Sequence, residues 1–190
     1  MTFPAFLDTC TLYSATLSDT LLRIAEEQTF RPHWSADIVA ELTRVLIREA
    51  GVTAEQAQHR VDQMQRAFRD AEVHGYRGLV PAMTCEPKDR HVLAAAVHAR
   101  CEVLVTFNLK DFPDASTRGL DVTVVSPDAF LLDQLDLYPA RVGRALLRQV
   151  EESSRPPLTL GALLGRLARA GVPAFAEEAR RHEFTPSIDP

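Results

Sequence analysis

Four acids stand in local contexts that could bring them to one place: Asp8, Glu41, Asp89 and Asp111. Asp8 closes an apolar run, Phe3-Pro-Ala-Phe-Leu7, that reads as a short buried strand. An acid at the carboxyl end of a first strand sits where α/β sheets bind ligands. Asp89 follows Pro87, which suits a first helical turn because its missing N–H has no partner there anyway. The aspartate then lies near the positive end of the helix dipole. Val92, Leu93, Ala96 and Val97 follow it at helical spacing, so Asp89 points along the core-facing stripe. Glu41 lies at the edge of a stripe made by Ile38, Leu42, Val45 and Leu46. Asn108 and Asp111 come just after the strand-like Val103-Leu-Val-Thr106. Each acid alone has a plain structural account. A dipole gain of about 0.3–1 kcal/mol explains Asp89, and a packed stem with a wet head group explains Glu41. Brought together, the carboxylates would repel and raise one another's pKa values unless a cation lay among them. Hard oxygen donors of this kind suit Mg²⁺ or Mn²⁺.

The elements that must position these acids are read from periodicity and punctuation. After Asp8 a helical pattern runs from Leu12 to Ala25, with a break expected near Ser18. Phe30 to Trp34 is a short extended piece interrupted by Pro32. Ser35 is an N-cap for a helix over about 36–50, closed by Gly51. The next helix is expected from Thr53 or Ala54 to His74, ended by Gly75 and Gly78. Leu79 to Met83 reads as a strand or extended link into the helix that starts at Pro87. Residues 103–106 and 120–125 are strands, and Ser126-Pro127-Asp128 caps a helix from Ala129 to about Leu135. Alternating strands and helices imply a mostly parallel sheet with helices on both faces. From Tyr138 the pattern is helical only, over 139–153, 158–170 and 172–183, with breaks at Pro156-Pro157 and Gly171. The chain therefore divides into an α/β domain over 1–137 and a helical extension over 138–190. Residues 139–170 carry six arginines against two glutamates, which reads either as a solvated helical face or as a surface for phosphate or a partner.

Composition sets the outer bounds. In 190 residues, 46% are hydrophobic and 25% charged, an ordinary soluble balance. No apolar run approaches the ~20 residues that span a bilayer. The first residues, Met-Thr-Phe-Pro-Ala-Phe-Leu-Asp, lack the basic-then-apolar order of a signal peptide, so the cytoplasm is the expected compartment. Cys10, Cys85 and Cys101 are odd in number and form no close pair, so they read as reduced thiols. A net charge of −5 argues against a protein that coats nucleic acid through a basic surface. It leaves room for an acidic site whose metal ions supply the positive charge at a phosphate.

Four segments in order resemble the motifs of PIN-domain nucleases: Phe6-Leu7-Asp8-Thr9; Ser35-Ala-Asp-Ile-Val-Ala-Glu41-Leu42; Asp89-Arg-His-Val-Leu-Ala-Ala-Ala; and Leu104-Val-Thr106-Phe-Asn108-Leu-Lys-Asp111-Phe112. Each motif alone is weak, and four in order are specific. The likeness covers residues 1 to about 135 and is closest to the VapC toxins of bacterial toxin–antitoxin pairs. It implies a three-layer α/β/α sandwich and a Mg²⁺- or Mn²⁺-dependent endoribonuclease. It also implies a homodimer or larger oligomer, and an antitoxin protein as a partner. Carried over by position, Asp8, Glu41, Asp89 and Asp111 are the metal-binding acids, with Thr106 orienting a carboxylate or water and Asn108 beside them. There are two departures. Asn108 stands where many members have a further Asp, and Cys10 where many have Asn. Rival classes fit less well. A phosphotransfer receiver needs an acidic pair after its first strand, where only Asp8 stands. A haloacid-dehalogenase-like phosphatase needs a second Asp two residues on, where this chain has Cys10. A catalytically idle PIN fold that binds RNA or protein is the alternative, kept open by Asn108.

Overall fold

The computed structural model describes residues 2–153 and 157–184. Of the sequence expectations, the break at Pro156 and the arginine at 155 lie outside these residues.

The elements follow in the order β1 (Phe3–Leu7), α1 (Thr9–Tyr13), α2 (Ala15–Glu26), β2 (Phe30–Ser35), α3 (Ala36–Glu49), α4 (Ala54–Ala67) and β3 (Glu72–Val73). Then come α5 (Arg90–His98), β4 (Val103–Val105), α6 (Asp114–Thr117), β5 (Thr123–Val125), α7 (Pro127–Leu137), α8 (Pro139–Glu152), α9 (Leu160–Arg169) and α10 (Pro173–Arg181). Short 3₁₀ segments occupy Tyr76–Ala82, Pro87–Asp89 and Leu109–Asp111. The strands form one parallel sheet in the order β3-β2-β1-β4-β5, with helices on both sides, so the α/β/α class expected from the sequence is the one observed. β1 and β4 lie at its centre, and Ala5, Phe6, Leu7, Leu104 and Val105 have no exposed surface. Strands covered on both faces read as continuous apolar runs, as these two do.

The described residues form two compact units, and they are not consecutive stretches of chain. The first gathers the residues up to Tyr13 with Arg31–Ser126; the second gathers Ser14–Phe30 with everything from Pro127 on. Helix α2, early in sequence, thus packs among the C-terminal helices. Thr20 Oγ1 on α2 donates to Gln149 Oε1 on α8 at 2.7 Å, with both residues buried. In the same unit Phe30 and Phe130 meet edge-to-face at 4.9 Å, a preferred aromatic geometry. Asp128 caps α10 by accepting from the backbone N–H groups of Ala174 and Phe175. The arginines of α8 are engaged within this unit. Arg141 donates to the carbonyls of Glu27 and Gln28, and Arg144 and Arg148 pair with Glu27. These guanidinium groups close the carboxyl end of α2.

Several boundaries differ from those expected. The break after α1 falls at Ser14, whose hydroxyl accepts from Leu17 N and starts α2, whereas Ser18 is buried inside that helix. Phe30–Ser35 is a single strand in spite of Pro32. α4 stops at Ala67 instead of reaching His74. Phe68 leaves the helix to place its ring edge-to-face on Trp34 at 6.2 Å, and Glu72 and Val73 then pair with Trp34 and Ser35. Leu79–Met83 is no strand. Gly75, at φ +80, turns the chain into a 3₁₀ segment held by two bonds to Asp37, from Tyr76 Oη at 2.6 Å and Arg77 Nη2 at 2.7 Å. Only glycine takes such a φ without steric cost.

Candidate active site

The site follows from strand register. Leu7 pairs with Val105 in the parallel ladder, so the next residues, Asp8 and Thr106, stand side by side at the carboxyl ends of β1 and β4. Both are buried, Asp8 at 4% and Thr106 at 0% exposure. Asp8 Oδ2 accepts from Thr106 Oγ1 at 2.7 Å and from Cys10 Sγ at 3.1 Å, and Asp8 Oδ1 accepts from Thr9 N at 2.7 Å. A buried carboxylate must be satisfied by donors, and three are supplied here by its own chain. Thr106 Oγ1 in turn accepts from Asn108 N at 3.0 Å, which folds the loop after β4 back over the strand end.

Cys10 has a defined place in this network. Its sulfur accepts from Phe107 N at 3.3 Å and donates to Asp8. Burial, followed by the Asp8 charge, pushes the thiol up to about 11, so it stays protonated and remains a donor at neutral pH.

Glu41, on α3, is half-buried, and Thr9 Oγ1 donates to its Oε2 at 2.9 Å. Thr9 therefore links the first and second motifs, with its N–H on one acid and its hydroxyl on the other. Asp89 ends the 3₁₀ turn Pro87–Asp89 and precedes α5, with 8% exposure. Burial is the main cause of its raised pKa, and the Asp8 and Asp111 charges act in the same direction. Asp111 lies in the 3₁₀ turn after β4. Lys88 joins it to Asp89, donating to Asp89 Oδ2 and Asp111 Oδ2 at 2.7 Å each. The Lys88 ammonium holds Asp111 below its usual carboxylate range. Asp8, Glu41, Lys88, Asp89 and Asn108 share one open cleft of ≈ 390 Å³, whose wall also includes Tyr13, Arg48 and Glu49.

The structure thus brings Asp8, Glu41, Asp89 and Asn108 to one cleft, sets Thr106 behind Asp8, and attaches Asp111 through Lys88. Among the described residues, no three acidic, His or Cys side chains close into a ready metal cage. Of the histidines, His98 is exposed, and His91 has a buried Nδ1 without a hydrogen-bond partner. Sequence reasoning missed Thr9 and Lys88 and left Cys10 as an unexplained departure. A hydroxyl beside Asp8 and a cation beside Asp89 were the only available signals.

Parallel strands ending in an acid and a threonine, with acids from two helices and a return loop beside them, define the class, and the PIN domain family matches residues 4–110. The chain belongs to that family. Over residues 127–181 it also matches the VapC50 C-terminal domain. One curated relative, "Putative ribonuclease VapC50" of Mycobacterium tuberculosis (strain ATCC 25618 / H37Rv), is 49% identical over 107 residues, covering 56% of this chain and 63% of the relative. The aligned region thus spans less than two thirds of that protein's length. No solved structure matches the chain. No helix among the described residues is long and apolar enough to cross a membrane.

Proposed function

We propose that this chain is a divalent-metal-dependent endoribonuclease that hydrolyses RNA phosphodiester bonds, and that it is the toxin of a toxin–antitoxin pair acting in the cytoplasm. One observation carries the reading: buried Asp8 and Asp89 face the same open cleft at the carboxyl ends of the central strands of a PIN fold. The name of the VapC50 relative supports the RNA substrate and the toxin role.

The donor set suits Mg²⁺ or Mn²⁺, since Asp8, Glu41, Asp89, Asp111 and Asn108 offer only oxygen from their carboxylates and amide carbonyl. The Lys88 ammonium between two of these carboxylates shows that the cluster already accommodates positive charge. A divalent ion held by these acids would supply Lewis acidity at the phosphate and a more acidic water. The chain's own groups do the rest. Thr106, Cys10 and Thr9 N–H fix the Asp8 carboxylate in one orientation. Thr9 Oγ1 does the same for Glu41. Arg48 and Lys88 also line the cleft, Arg48 paired with Glu49 and Lys88 with Asp89 and Asp111. In hydrolysis, water adds to phosphorus and the bond to one ester oxygen breaks. The water's proton would pass to a carboxylate of the cleft, as no histidine among the described residues lines it.

The chemistry is proposed to reside in residues 1–137 and the helical extension to begin at 138, although α2 packs with the C-terminal unit. A homodimer and an antitoxin partner belong to the same proposal. Leu12 and Leu21 of the apolar pattern after Asp8 are buried, so the dimer rests on family likeness. Light scattering that returns a monomer at micromolar concentration would remove it.

The test of function is cleavage of single-stranded RNA with Mg²⁺ or Mn²⁺ against EDTA, for wild type and Asp8→Asn. Cleavage that needs the metal and is lost in Asp8→Asn is expected. The second reading, an idle PIN fold that binds RNA or protein, is favoured by one observation: Lys88 already pairs Asp89 with Asp111. RNA binding without cleavage under every metal condition would select it.

A further inference from the structure

Asp89 and Asp111 share a cation supplied by their own chain. Lys88 Nζ is 2.7 Å from an oxygen of each. The two carboxyl side chains are 12% and 13% exposed, whereas the lysine is 61% exposed and reaches in from solvent. A pair on an open surface is worth little. Here the compact charge of a lysine head group lies between two carboxylates that solvent scarcely reaches. On the other side of Asp89 the situation differs. Asp8 is held by the neutral donors Thr9 N, Cys10 Sγ and Thr106 Oγ1, and among the described residues it forms no ion pair. The acid cluster is thus divided into a half that has its cation and a half that has none. Asp8, Glu41, Asp89 and Asp111, taken with Lys88, leave three negative charges, which a single divalent ion reduces to one. A second divalent ion on Asp89 and Asp111 would have to displace the ammonium.

We propose that Lys88 is a built-in cation for the Asp89–Asp111 half of the site, so that the native chain takes one divalent ion, at the Asp8–Asp89 half, in place of the two such a cluster could hold. The proposal rests on the metal-dependent nuclease reading for the first ion and goes beyond it in the role given to Lys88. In that role Lys88 sets how many ions the site takes, and it keeps a positive charge beside a bound phosphate when metal is scarce.

The experiment is a Mn²⁺ titration of the full chain followed by electron paramagnetic resonance, comparing wild type with Lys88→Met, Lys88→Gln and Lys88→Arg. Circular dichroism checks folding, and either neutral variant suffices if the other fails to fold. Wild type and Lys88→Arg are expected to take up about one ion per chain and the neutral variants about two, whose spins couple because paired sites lie roughly 3.5–4 Å apart. Neutral variants that stay at the wild-type stoichiometry, or a wild type that already binds two coupled ions, overturn the proposal. RNA cleavage measured on the same samples separates the two readings. EDTA-sensitive cleavage with unchanged stoichiometry refutes the role of Lys88 alone. No Mn²⁺ uptake by any form, together with no cleavage, refutes both.

Discussion

Replacing Thr106 by valine tests whether the site is built from strand register. Valine keeps the branched shape but removes the hydroxyl, so it is not a neutral exchange. The hydroxyl's donation to Asp8 Oδ2 at 2.7 Å, its acceptance from Asn108 N at 3.0 Å and its contact with Cys10 Sγ at 3.3 Å all go with it. The first is a bond to a charged group, worth about 1.5–3 kcal/mol. With Thr106 at 0% and Asp8 at 4% exposure, water cannot take the hydroxyl's place. The Cys10 thiol still donates to Asp8, at 3.1 Å, and offsets part of the loss. We therefore expect a cost near the middle of the range, about 2 kcal/mol, and a fall in Tm of about 4–8 °C for a chain of this size. Melting should be followed by circular dichroism in EDTA, so that only the apo protein is read. The loosened Asp8 should also lower RNA cleavage by about 10–100-fold, the range seen when a partner that orients a ligand is removed. Thr106→Ser restores the donor and should recover most of both. A valine variant that melts within about 1 °C of wild type and cleaves normally would refute the claim that Thr106 orients Asp8.

Three further outcomes are expected. Asp89→Asn removes a charge that burial and the neighbouring carboxylates disfavour, so the metal-free protein should become more stable while cleavage falls by orders of magnitude. Because the folded pKa of Asp89 lies above its ordinary 3.8, the native state holds that proton to higher pH than the unfolded state does. The stability Asp89 confers is therefore present at acid pH and lost as pH rises through the raised value. The advantage of Asp89→Asn over wild type should thus grow from acid toward neutral pH, and urea titrations at several pH values that show a constant or shrinking advantage would contradict it. Mn²⁺ at a hundred times its Kd should stabilise wild type by about 2.7 kcal/mol, and melting curves that coincide with those in EDTA would count against a metal site. Iodoacetamide at pH 8 should label native Cys10 and Cys101 slowly and both rapidly in urea, because burial pushes the thiols up to about 11 and about 12; fast labelling of the native protein would show that they are not so enclosed.

Local chemistry alone determined the type and order of most elements. Ser35 accepts from Ile38 N and starts α3, and Thr53 with Gln56 forms a capping box that starts α4. Caps and apolar period act within a turn or two, so they are legible in sequence. The same holds for the acids, whose places at strand ends and helix starts follow from the residues beside them. The ends of elements depended on distant partners. α4 stops at Ala67 because Phe68 packs on Trp34, and residues 76–82 coil because Asp37 holds Tyr76 and Arg77. The wiring of the site was decided in the same way. Thr106 reaches Asp8 across 98 residues, Thr9 reaches Glu41 across 32, and Lys88 reaches Asp111 across 23. The allotment of α2 to the C-terminal unit, through Thr20 and Gln149, spans 129. A hydroxyl or ammonium acquires a function only when register and loop closure bring an acceptor within about 3 Å of it, and that partner is set by the folded sheet, since no neighbouring residue specifies it.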